Sequence, residues 1–131
     1  MSTISIQSNT TNEMIEVTDR IQQEVTASGI TDGIVHLFTP HTTAAITINE
    51  NADPDVVHDM VMILDRVVPL KGGYHHAEGN SAAHVKSSMF GCSETLPLEN
   101  GRLVLGTWQG IYFCEFDGPR RRSLQVRVLP S

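Results

Sequence analysis

Six histidines stand among the 131 residues: His36, His41, His58, His75, His76 and His84. Imidazole titrates near neutral pH and is the commonest protein ligand for a metal ion, so their placement decides what they can do. His36 lies inside the apolar run IVHLF and reads as a core histidine with one satisfied partner. The other five fall outside apolar stripes. His41 follows Pro40 at a break between two strand patterns. His58 sits near a helix start beside Asp55 and Asp59. His75 and His76 lie in a glycine-broken loop, and His84 lies on the segment beyond it. Any one alone reads as a surface or turn histidine. As a set they fit a metal site, which needs three protein ligands and an open position for catalysis. His76 and His84, on a loop and the element it feeds, can converge. There is no HExxH motif and no paired CxxC, so spacing by itself does not establish the metal.

Other groups cluster around these. Asn49-Glu50-Asn51 and Asp53 lie where a strand gives way to a helix, with turn chemistry and a pocket-facing role both open. Gly106-Thr107-Trp108-Gln109-Gly110 holds the only tryptophan. It reads either as core or as a constrained turn presenting Trp108 and Gln109 to a ligand. Arg120, Arg121 and Arg122, with Lys86, read either as an anion site or, for the arginines, as charges guarding an edge strand. No phosphate-binding glycine loop, GxSxG elbow or convincing cysteine nucleophile appears, and Cys92 is a loop thiol without an assigned role.

The elements that must position these groups follow from periodicity. Met1–Gln7 alternates as a strand. Thr10 and Glu13 have capping-box spacing, and Met14, Val17, Ile21 and Val25 recur at helical intervals. They predict a helix from about residue 11 to about residue 28, stopped by Gly29. Residues 33–39 and 43–49 read as two strands of a tight antiparallel hairpin. Asp53-Pro54 starts a helix with a stripe of Val57, Met60, Val61, Leu64 and Val68. Residues 69–80 form a loop. Strands are predicted at 83–89, 94–98, 103–106, 111–116 and 123–129, the last two joined by a hairpin turn at Asp117-Gly118. The fold class is α+β: one domain over 1–131, a largely antiparallel sheet with two main helices on one face.

A formal charge of −6 argues against duplex binding, which needs a basic surface. The N-terminus lacks the charged and apolar regions of a secretory signal, and no apolar run approaches the length of a membrane span. Two cysteines without a signal read as free thiols, and the compartment as cytoplasmic.

The motifs HTTAAITINENADPDVVHDM, YHHAEGNSAAHVKSS and LGTWQGIYFCEFDGPRRR, in that order, resemble the YjbQ-type family across nearly the whole chain. Several members are described as secondary thiamine-phosphate synthases. The resemblance implies a two-layer α+β fold, a homotrimer, and a metal-associated pocket near subunit contacts. The metal falls to His76 and His84 with His58 or His41, zinc being favoured and magnesium the alternative. Catalytic roles fall to His41, Glu50, Asp53 and Lys86, and ligand contacts to Asn49, Trp108, Gln109 and Arg120. Glu78 and Glu115 also match motif positions. The expected substrate is a small phosphorylated metabolite, with no nucleic acid or membrane partner. The alternative is a non-catalytic metal- or metabolite-binding protein.

Overall fold

A computed structural model describes all residues from Met1 to Ser131. The chain runs β1 (Ser2–Gln7), β2 (Glu13–Glu16), α1 (Thr18–Ser28), β3 (Gly33–Phe38), β4 (Ala44–Glu50), α2 (Pro54–Val67), α3 (Ser81–Phe90), β5 (Ser93–Glu99), β6 (Arg102–Leu103), β7 (Gln109–Glu115) and β8 (Arg121–Pro130). The α+β class with antiparallel pairing is as expected. The strands form two sheets, ordered β1-β8-β3-β5-β6 and β2-β7-β4, and every pairing is antiparallel.

The alternation of each strand explains the packing. Ile4, Ile6, Val35, Leu37, Leu124 and Val126 turn one face of the large sheet onto Ala44, Ile46, Ile111 and Phe113 of the small one, with Ile21 and Val25 of α1 closing the core. The other face of the small sheet carries Ala45, Tyr112 and Cys114, which pack with Ala83 of α3 and with Val57 and Leu64 of α2. Each large side chain so buried contributes about 1.5–3 kcal/mol. The three-stranded sheet is therefore covered on both faces, and α2 and α3 sit on its outer side.

Several expected elements differ. Residues 13–16 are a strand, not the first helical turns: they pair with β7 from Glu13↔Glu115 to Glu16↔Tyr112. Thr10 caps nothing; its hydroxyl donates to Asn12 O, and α1 starts after Val17 without a side-chain cap. Residues 83–89 lie in α3 rather than in a strand. The buried positions there are Ala82, Ala83, Lys86 and Ser87, which recur at helical spacing but are not large apolar residues. The apolar Val85 and Met89, which suggested the strand, are exposed.

Neither expected hairpin forms. β3 joins β5 and β8 in one sheet while β4 joins β7 in the other, so residues 39–43 cross between sheets. Asp117-Gly118 likewise lies where the chain leaves β7 in the small sheet for β8 in the large one. A Cβ on Gly118 would meet Thr10 O at 2.3 Å, so this corner requires glycine. The Asp53-Pro54 start is as read, with Asp53 Oδ1 accepting from Asp55 N–H at 2.9 Å. No helix is long and apolar enough to cross a membrane.

Candidate functional site

α3 places His84 one turn from its start, and the glycine-rich loop brings His76 back over it. The two imidazoles stand edge to face, centroids 5.6 Å apart at 83°. His76 Nε2 is 3.9 Å from Glu78 Oε1. Both histidines border a shallow depression of about 440 Å³ with Ser81 and Val85. His84 also borders a deeper cleft of about 570 Å³, which includes His41, Thr42, Ser87, Ser88 and Cys92. The crossing of residues 39–43 between sheets forms one wall of this cleft and α3 the other. Thr42 and Cys92 drew no role from the sequence, whereas Ser88, a candidate with Lys86 for an anion site, reaches the cleft one turn after His84 on α3.

His41 is fixed by its ring. Its Nε2 accepts from the backbone N–H of Ser123 at 3.0 Å. A neutral imidazole accepting at Nε2 carries its proton on Nδ1, so neither nitrogen keeps a lone pair for a metal. Burial lowers the pKa of His41 below its ordinary value, and the nearby Arg122 and Arg120 reinforce this against Glu115. Within this geometry His41 is a neutral donor rather than a third metal ligand.

His58 lies elsewhere. It is exposed on α2, 3.3 Å from Asp59, in a separate groove of about 620 Å³ with Met14, Val61 and Asp65. No three His, Cys, Asp or Glu side chains of the chain form a group that could hold a metal. His76 and His84 supply two imidazoles of suitable chemistry, with the Glu78 carboxylate beside His76 but no third ligand grouped with both.

The cationic candidates are engaged. Lys86 is on the opposite side of α3 from the cleft and only 3% exposed. Its Nζ is 2.6 Å from Asp65 Oδ1 and 3.3 Å from Asn12 Oδ1, and 5.9 Å from the Phe116 ring centroid. It ties α3 to α2 instead of facing a ligand. Arg120 turns back to Asp117 at 3.1 Å. Arg122 is buried against Glu115 and Thr43, so it guards no edge.

The remaining candidates serve local structure. Asn49 Oδ1 accepts from Glu50 N–H at 2.7 Å, and Glu50 O accepts from the Tyr112 hydroxyl at 2.9 Å. Gln109 Oε1 closes its own turn on Gly106 N–H at 2.8 Å. Trp108 is 63% exposed, which removes the core reading, and it does not line the cleft. His36 is not in the core either: it lies on the outer face of β3, with Nδ1 3.0 Å from Thr95 Oγ1.

Residues 2–131 match the family described as UPF0047 protein YjbQ-like. The UPF0047 protein YugU of Bacillus subtilis is 50% identical over 130 residues, covering 98% of each chain. A UPF0047 protein of Methanocaldococcus jannaschii is 48% identical over 124 residues, covering 95% of this chain and 90% of its own. The crystal structure of an uncharacterised YjbQ/UPF0047 protein from Clostridium acetobutylicum superposes with a TM-score of 0.97 at 50% identity, covering 98% of this chain and 100% of its own. A YbjQ-like protein of unknown function from Sulfolobus solfataricus superposes with a TM-score of 0.95 at 32% identity, covering 99% and 96%. With its family match running nearly end to end, the chain belongs to the UPF0047 YjbQ-like family.

Proposed function

We propose that the chain is a metal-associated, small-molecule enzyme of the cytoplasm, working on a phosphorylated metabolite in the cleft beside His84. The observation that carries this is the edge-to-face pair of His76 and His84, of which His84 also lines the cleft. Two imidazoles suit zinc better than magnesium, which prefers oxygen ligands. His41 is already committed to Ser123, and His58 is out of reach within one chain. The third protein ligand is then His58 of a second copy. Exposed Ile63, Val67 and Leu70 after and along α2, and Val85 and Met89 on α3, favour such an assembly. We infer a homotrimer, the assembly that the family resemblance implies. Cys92 and Cys114 being unpaired fits a reducing compartment.

The activity to assay first is thiamine-phosphate synthesis, in which a thiazole phosphate displaces diphosphate from a pyrimidine diphosphate. Purified protein should carry a first-row divalent metal, and His84→Ala should lose most of it. Full metal content in that variant defeats the reading. A non-catalytic binding role is the second reading, favoured by Lys86 and Arg122 being locked in ion pairs away from the cleft. Turnover over a panel of phosphorylated metabolites separates the two.

A further inference from the structure

Several polar groups lining the cleft beside His84 are already hydrogen-bonded away from it. Three of its backbone carbonyls are already used: Cys92 O accepts from Thr39 N–H at 2.9 Å, Gly91 O from Ile46 N–H at 3.1 Å, and Ser87 O from Gly91 N–H at 2.8 Å. Two of its hydroxyls are turned inward as well. Thr39 Oγ1 donates to Ser123 O at 3.1 Å and Ser87 Oγ to Ala44 O at 2.6 Å. Among the groups left at the cleft are the side chains of Thr42 and Ser88 and a His41 ring that carries its proton on Nδ1, because its Nε2 accepts from Ser123.

Burial lowers the pKa of His41, and the neighbouring Arg122 and Arg120 lower it further against Glu115. The ring therefore stays a neutral donor near neutral pH. We propose that this cleft is an oxyanion subsite, in which neutral His41 donates its Nδ1–H to a phosphoryl oxygen, assisted by Thr42 and Ser88. A preorganised neutral donor needs no proton transfer to receive the anion, and it holds negative charge where a free lysine or arginine is absent. The inference deepens the proposed function by giving His41 a binding role apart from the metal.

Two isosteres separate this role from a structural one. In His41→Gln the side-chain oxygen can take over the bond from Ser123 N–H, but no donor faces the cleft. In His41→Asn the amide N–H stands near the place of Nδ1, while Ser123 N–H loses its acceptor. Long-range proton–nitrogen NMR of the wild-type chain should show His41 with Nδ1 protonated and Nε2 bare. Adding inorganic phosphate at constant ionic strength should move that signal, with chloride leaving it in place. A hydrogen bond to a charged acceptor is worth roughly a tenfold change in affinity or more. His41→Gln should therefore weaken phosphate at least about tenfold with its fold intact, whereas His41→Asn should lose stability and keep its phosphate response. An Nε2-protonated ring, an equal response to chloride, or unchanged phosphate affinity in His41→Gln overturns the proposal. Zinc added to the same samples tests the metal reading separately, through the His76 and His84 rings. Zinc leaving those two unmoved defeats the metal and spares the oxyanion site, and a silent His41 does the reverse.

Discussion

Glu115 and Arg122 face each other across the corner where the chain leaves the small sheet for the large one. Arg122 Nε donates to Glu115 Oε2 at 2.8 Å and its terminal nitrogen reaches both Glu115 Oε1 and Thr43 Oγ1, the latter at 2.8 Å. Ser8 Oγ and Asp117 N–H complete the carboxylate at 2.7 and 2.9 Å. Both side chains are sealed from water, so the two buried charges compensate each other. Arg122→Met should cost about 3–5 kcal/mol of unfolding free energy by leaving the carboxylate uncompensated. Adding Glu115→Leu should recover much of that loss. Urea unfolding of the two single variants and the double variant measures the coupling, and additive losses would show that the pair is not one unit.

The same pair sets an acid limit. Burial alone pushes the Glu115 carboxyl up, but the bonds from Arg122, Asp117 N–H and Ser8 outweigh it and hold the pKa below the ordinary carboxylate value. A depressed folded pKa gives stability that is complete above the unfolded value and is lost as pH falls through the folded one. Unfolding free energy should therefore fall at pH values below the usual glutamate range, and the slope should be smaller in Glu115→Gln. Denaturation midpoints measured at a series of acidic pH values check this.

The two thiols should behave as opposites. Burial pushes the Cys114 thiol up to about 12, while Cys92 is exposed at the cleft. A thiolate-selective reagent at neutral pH should modify Cys92 alone in the native chain, and Cys114 only after unfolding. Labelling of Cys114 in native protein would show that its strand opens readily.

Much of the fold was legible because large apolar residues mark their elements. Ile4 and Ile6 placed β1, and Asp53-Pro54 placed α2. α3 escaped because its buried side is Ala82, Ala83, Lys86 and Ser87, which carry no apolar period. The two false hairpins share a cause: local turn residues at 40–41 and 117–118 cannot reveal that the strands on either side belong to different sheets. For the site, the approach of His76 to His84 was readable from the loop and the segment it feeds, although that segment was read as a strand and is α3. The commitment of His41 to Ser123 was not, since the two lie 82 positions apart in the chain. Lys86 and Arg122 looked like free cations in sequence, and only their burial reveals them as ion-pair partners.

Trp108 offers a readout of assembly. A ring 63% exposed should emit like an indole in water, and Trp108→Phe should change the unfolding free energy by no more than about 0.5 kcal/mol. Large exposed aromatics are favoured anchors where proteins meet. If chains associate through this turn, emission should shift to the blue as concentration rises, and Trp108→Ala should weaken association. Emission independent of concentration, in a sample whose sedimentation shows assembly, would place Trp108 outside the contact.

The proposal of a metal site shared between copies can be tested by complementation. His58 is 75% exposed in its side chain and lies in a different groove from His76 and His84, so within one chain it completes nothing. His58→Ala keeps its own pair of imidazoles, and His84→Ala keeps a usable His58. Each variant alone should hold little zinc, because every site lacks one of three protein ligands. After denaturing and refolding the two together, some sites will face the intact pair of one chain toward the intact His58 of another. Random mixing in a ring of identical contacts restores roughly a quarter of the sites. Zinc content near that level, absent from either variant refolded alone, is the expected outcome. A mixture holding no more zinc than its parts would mean that His58 of a neighbouring copy is not the third ligand.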